Sequence, residues 1–133
     1  MIIGIGTDII KTARFEGMNT RFMERVFTCD ERAYLLGKGH MSYISAAGIF
    51  AAKEAVAKAL GTGFKGFWPS DIEVAHDAYG KPYVILHGEA AHIAGRLAKG
   101  KRRFCRGYII DLSISHTATD AMAFVVISLR RLR

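Results

Sequence analysis

Glu54 and Lys58 stand four residues apart in the run FAAKEAVAKALGTG, Phe50 to Gly63, which puts a carboxylate and an amine on one helix face and closes on a glycine turn. A carboxylate offers an oxygen that a metal ion can take, and an ammonium is a compact charge suited to phosphate oxygens. At 100° per residue, Ile49, Ala52, Val56 and Leu60 gather within about 80° of one another, and Glu54 and Lys58 lie nearly opposite. The same spacing also describes an ordinary i, i+4 ion pair worth ~0.2–0.5 kcal/mol to a helix. The segment alone leaves both readings open. Two further residues bear on the choice. Asp8 stands among isoleucines in MIIGIGTDII, where an acid is costly unless it is paired, hydrogen-bonded or bound to a cation. It reads either as a cap or turn acceptor or as a metal ligand. His116 stands at the end of a strand-like run between Ser115 and Thr117, a turn residue or satisfied hydrogen-bonder by one reading and a functional residue by the other.

These residues need elements to hold them. MIIGIGTDII is β-branched and apolar and predicts a buried first strand from about Ile2 to Ile10. From Lys11 to Leu36 the pattern turns helical through Phe15, Met18, Phe22, Val26 and Phe27, and Thr28 with Glu31 forms a capping box that starts a new helix. Arg14, Arg21 and Arg25 interleave with Met18, Phe22 and Val26. This is either a common amphipathic helix or a cationic and apolar docking face. The helix bearing Glu54 begins near Tyr43 to Ala47 and ends at Gly61. The strands IEVAH and YVILH flank the turn YGKP, a short helix follows from Glu89 to Leu97, and two period-two strands meet around Thr117 to Asp120. This order predicts α+β, one domain over residues 1–133 with a mainly antiparallel sheet.

The chain has 133 residues, half of them hydrophobic, and suits one packed core. No apolar run reaches the ~18–20 residues of a membrane span, and the N-terminus lacks a signal-peptide pattern, so a soluble cytoplasmic protein without a membrane partner is expected. Cys29 and Cys105 have no CxxC spacing and read as reduced thiols. The net charge of +7 calls for an acidic partner. The clusters Lys99 to Arg106 and Arg130 to Arg133 read as a basic loop and a basic tail, because no aromatic-interleaved RNA motif or metal finger accompanies them.

Three islands, GIGTDII at 4–10, FAAKEAVAKALGTG at 50–63 and LSISHT at 112–117, occur in the order and spacing of the holo-acyl-carrier-protein synthases, with RFMERVFTCDERAY and DIEV…YGKPYV between them. The chain resembles that family over nearly its whole length. The resemblance implies a 4′-phosphopantetheinyl transferase fold and transfer of phosphopantetheine from coenzyme A to a serine of apo acyl carrier protein, with release of adenosine 3′,5′-bisphosphate, as a step toward fatty acid synthesis. It implies magnesium on Asp8 and Glu54, Lys58 close to the diphosphate, and Gly61, Thr62 and Gly63 in backbone approach to coenzyme A. Ser115, His116 and Thr117 would lie beside the nucleotide phosphates. Glu54, Lys58 and His116 are thereby the candidate catalytic residues, with the general base left open among His116, Glu54 and a metal-bound water. An acidic carrier would dock on Arg14, Met18, Arg21, Phe22 and Arg25. The family's short members are homotrimers with active sites between subunits, and the same is expected here. Two features depart from the family pattern: Ile49 replaces an arginine that many relatives carry before FAAKEA, and the basic segment 99–106 is longer. The alternative from another class is a non-catalytic basic nucleic-acid-binding module.

Overall fold

A computed structural model describes residues 1–101 and 107–130. The chain folds in the order β1 (Ile2–Lys11), α1 (Thr20–Val26), α2 (Cys29–Leu36), α3 (Ser42–Leu60), β2 (Ile72–His76), β3 (Pro82–Leu86), α4 (Gly88–Lys101), β4 (Tyr108–His116) and β5 (Asp120–Leu129), with 3-10 turns at Thr12–Phe15, Gly39–Met41 and Pro69–Asp71. The α+β class and the antiparallel pairing agree with the sequence. The strands divide between two sheets, a three-stranded one in the order β1-β5-β4 and the β2-β3 hairpin, and β3 lies against β4.

Helix α3 is the centre of the molecule. From Ile49 to Leu60 every residue is buried except Phe50, Glu54 and Lys58, so the charged side expected from the periodicity is a single i, i+4, i+8 stripe on an otherwise enclosed helix. Alanines at 51, 52, 55 and 59 let β1 come close. A Cβ on Gly4 would stand 2.1 Å from the Ala59 carbonyl oxygen, and one on Gly6 would stand 1.9 Å from that of Ala55. Both glycines are therefore demanded by strand–helix contact, since nothing larger fits between the two backbones.

Two expectations need correction. The new helix expected at Thr28 is there, but the part before it, from Lys11 to Phe27, is not one helical run: a 3-10 turn and α1 are separate. Asn19 caps α1 by accepting from the Phe22 amide at 2.8 Å, and the chain is extended at Phe27 and Thr28. The capping box at Thr28 and Glu31 is present, with both bonds made. Nor is β1 buried on both sides. Gly6 and Ile10 face α3 and are buried, whereas Ile5 and Ile9 are 62% and 69% exposed. The expected helix after β3 is longer than predicted and carries Lys99 and Lys101. The rest of the basic segment, 102–106, and the tail 131–133 lie outside the described residues, as does Cys105; Cys29 is a free thiol.

Candidate active site

Asp8 shares the α3-facing side of β1 with Gly4 and Gly6. The close approach of strand to helix brings it to the stripe of α3. Lys58 Nζ donates to Asp8 Oδ1 at 3.2 Å and to the Thr7 carbonyl at 2.9 Å. Lys58 thus pairs across elements with Asp8, rather than along its own helix with Glu54. Asp8 is largely covered, at 18% side-chain exposure, and Lys58 is open, at 54%. Burial pushes the Glu54 carboxyl above its ordinary value, and the Asp8 carboxylate pushes it further, while Lys58 and Arg14 oppose the rise. The Asp8 charge acts on Glu54 across the β1–α3 contact, so the two carboxylates offer oxygens that a cation could share.

That donor set fits magnesium, which takes one or two carboxylates and completes its shell with water and ligand oxygens. Among the described residues no group of three or more His, Cys, Asp or Glu could enclose a metal ion. The pair therefore leaves most of a cation's coordination positions to water and to substrate.

The glycine turn has a structural occupation. Gly61 and Gly63 adopt positive φ, 83° and 59°. Their amides donate to the Lys58 and Ala57 carbonyls at 3.0 and 3.2 Å, ending α3. The Thr62 hydroxyl donates to the Gly63 carbonyl at 2.9 Å.

His116 ends β4 in register with Ala121, which pairs in turn with Ile10, while Asp8 pairs with Ala123 and so aligns with Ile114. With strands ~4.8 Å apart, β5 keeps His116 and Asp8 about 10 Å or more apart within one chain. His116 opens instead on a cavity of about 230 Å³ that it shares with Tyr34, Lys38, Ser45, Gly48, Ile49 and His76, and that neither Asp8 nor Glu54 lines. Tyr34 and His76 stack at 4.0 Å and 7°, with Lys38 Nζ 4.8 Å from the Tyr34 ring centroid. Burial holds His76 below its ordinary pKa, and the Lys38 charge adds to that. A flat aromatic wall beside a cation suits a planar, anionic ligand. Ile49 is 2% exposed and belongs to the core as well as to this wall. Thr117 closes the β4–β5 turn, its hydroxyl accepting from the Asp120 amide at 3.1 Å. Ser115, opposite Met122, lies on the other face of the sheet from His116.

The residues expected to dock a carrier are spread over three backbone segments. Arg14 lies in the Thr12–Phe15 turn, Met18 in the connection to α1, and Arg21, Phe22 and Arg25 on α1 itself. Two of them, Arg14 and Phe22, touch a cluster of rings. Phe15 is 6.1 Å from Phe22 and 5.3 Å from Phe50, and the Arg14 guanidinium is 5.6 Å from the Phe50 centroid. Arg14 therefore touches both the docking face and the field of Glu54.

Sequence reasoning passed over Tyr34, Lys38 and His76, and also Lys53. Lys53 is fully buried, with Nζ donating to Glu31 Oε1 at 2.7 Å, to the Pro69 carbonyl at 3.0 Å and to the Ile72 carbonyl. Burial lowers its pKa, against the Glu31 carboxylate. At 100° per residue Lys53 falls about 20° beyond Leu60, at the edge of the apolar arc, so its burial was only partly legible and its partners were not.

An antiparallel α+β frame, with an acid from the first strand meeting a Glu and a Lys from a central helix, is the architecture of one class. The chain belongs to the 4'-phosphopantetheinyl transferase superfamily, whose family model it matches over residues 4–113. Within that class it is similar to the holo-[acyl-carrier-protein] synthase of Clostridium beijerinckii, with 43% identity over 95% of this chain and 97% of the relative. Its fold is similar to that of a holo-(acyl-carrier-protein) synthase from Bacillus anthracis str. Ames in complex with CoA (3',5'-ADP), with TM-score 0.75, 43% identity and 96% of each chain covered. The Helicobacter pylori synthase, solved in complex with coenzyme A, superimposes at TM-score 0.70, with 33% identity over 93% of this chain and 99% of that one.

Proposed function

We infer that the chain is a holo-acyl-carrier-protein synthase that moves 4′-phosphopantetheine from coenzyme A to a serine hydroxyl of apo acyl carrier protein and releases adenosine 3′,5′-bisphosphate. The observation that carries the reading is the convergence of Asp8, Glu54 and Lys58 across the β1–α3 contact, which assembles an oxygen pair and a mobile ammonium at one point.

Asp8 and Glu54 hold a magnesium ion, which supplies charge neutralisation at the diphosphate. Lys58, half-exposed at the end of a flexible stem, exchanges part of its contact with Asp8 for phosphate oxygens and stabilises the charge that develops there. The cavity of Tyr34, Lys38, His76 and His116 takes the nucleotide end of coenzyme A. Arg14, Met18, Arg21, Phe22 and Arg25 receive the acidic carrier, the cations steering it and the apolar residues supplying contact area.

The active form is a homotrimer. Opposite α3, the three-stranded sheet leaves Ile5, Ile9, Met122, Phe124 and Ile109 between 40% and 69% exposed on one continuous face. Contiguous apolar surface of this kind marks an association face. Assembly through it sets the carboxylates of one subunit near nucleotide contacts of the next, which agrees with the separation of Asp8 from His116 in a single chain.

Incubation with coenzyme A, magnesium and an apo carrier should raise the carrier's intact mass by one phosphopantetheine group. An unchanged mass with every divalent ion tried would refute the reading.

A further inference from the structure

The first lysine of the KEAVAK run has no part in the chemistry above, yet it is wholly enclosed and makes three bonds. Its Nζ ties α3 to Glu31 at the start of α2, to the Pro69 carbonyl, and to the Ile72 carbonyl where β2 begins. Glu31 completes the junction. Its Oε1 also accepts from the Thr28 amide, and its Oε2 accepts from the Val74 amide at 2.8 Å. One ammonium and one carboxylate therefore satisfy polar groups from three elements that are far apart in sequence. The Pro69–Asp71 turn held in this way lies against α1. Between α1 and the chain leading to that turn opens an apolar groove of about 660 Å³, bordered by Phe22 and Arg25 on one side and by Phe64, Phe67 and Trp68 on the other. Lys53 is the immediate neighbour of Glu54, so the clamp starts on the same turn of helix that carries the candidate metal ligand.

We propose that Lys53 is a positioning residue for carrier docking: its bonds to Glu31 and to the Pro69 and Ile72 carbonyls set the distance and angle between the α1–Trp68 docking surface and Glu54. The inference rests on the transferase reading. The carrier serine must reach the diphosphate while the carrier itself sits on α1, so the spacing between these two places decides whether docking is productive. A buried ion pair stabilises little relative to apolar residues of the same size, which makes a positional role the better account of its presence. The groove's occupant is an apolar side chain of the acidic carrier, seated beside Arg21 and Arg25 by charge.

Trp68 is the single tryptophan of the chain and is 65% exposed at the groove. Its emission reports docking directly when the apo carrier contains no tryptophan. The proteins to compare are the wild type, Lys53→Met, and Lys53→Met with Glu31→Gln, which removes the orphaned charge and keeps an amide oxygen for the Val74 amide. All are measured below their melting temperatures. The expected result is that both variants bind carrier and show a carrier KM weakened roughly tenfold to a hundredfold, with the KM for coenzyme A within about twofold of wild type. Recovery of the melting temperature in the double variant without recovery of carrier affinity separates positioning from mere stability. Carrier affinity equal to wild type in a folded variant, or equal losses for carrier and coenzyme A, overturns the proposal. If neither variant folds, amide hydrogen exchange of the wild type decides. Protection of 64–72 should rise with carrier and not with coenzyme A, and no change with carrier overturns the proposal. Failure of the wild type to modify the carrier at all would instead refute the transferase reading.

Discussion

Glu54 is the residue at which burial and charge act in the same direction. Its carboxyl is raised above its ordinary value of 4.5, first by desolvation and then by Asp8. The folded chain then binds more protons than the unfolded chain between those two values, so this group's contribution to stability falls as the pH rises through that window. Without divalent ions, Glu54→Gln should therefore melt above the wild type at pH 7, and the difference should shrink as the pH falls toward about 4.5 and be gone below it. Magnesium should raise the melting temperature of the wild type at pH 7 and leave the variant unmoved. Scanning calorimetry at the two pH values, with and without magnesium, checks both statements, and a variant less stable than wild type at pH 7 would contradict the electrostatics. In the proposed mechanism Lys58 does the complementary work. Replacing it by Met removes the ammonium aimed at developing phosphate charge and should lower kcat about 100-fold, read from steady-state carrier modification.

At the scale of elements, the contact of β1 with α3 sets the geometry. Gly6→Ala drives a Cβ into the Ala55 carbonyl oxygen, and overpacking of this kind costs ~1–3 kcal/mol. Because Asp8 lies two residues further along the same strand, turnover should fall by more than the loss of folded protein explains. Urea denaturation together with turnover per folded molecule measures this, and unchanged activity per folded molecule would place the Asp8–Glu54 spacing elsewhere than in the glycine contact. The sequence showed which elements exist, because period two in β4 and β5, the Thr28–Glu31 box and Gly61 are local signals. It showed Asp8, Glu54 and Lys58 as candidates through their types and spacing. It did not show that Lys58 reaches Asp8 instead of Glu54, that Gly4 and Gly6 exist to admit a helix backbone, or that Tyr34 stacks on His76. Each of these joins residues far apart in the chain, and no short window carries them. The helical run expected from Lys11 up to the Thr28 box broke because Asn19 is an N-cap with extended backbone, which the apolar period alone does not reveal.

The whole molecule is shaped by the sheet face opposite α3. Phe124, on the central strand of that face and 46% exposed, would be enclosed at the centre of a trimer. Phe124→Glu should yield monomers by light scattering and abolish transfer, while an active monomer would contradict the shared-site account. The alternating burial of β5 ensures that this substitution leaves Ala123 and Val125 in place under α3. In the proposed transfer, assembly, carboxylate pair and docking face act together, and the direct test is the intact mass of an apo carrier after incubation with coenzyme A and magnesium. Wild type should convert it to the phosphopantetheine-bearing form, and Glu54→Gln, folded and still binding carrier, should leave it almost unmodified. Equal conversion by the two proteins would contradict the assignment of the active site.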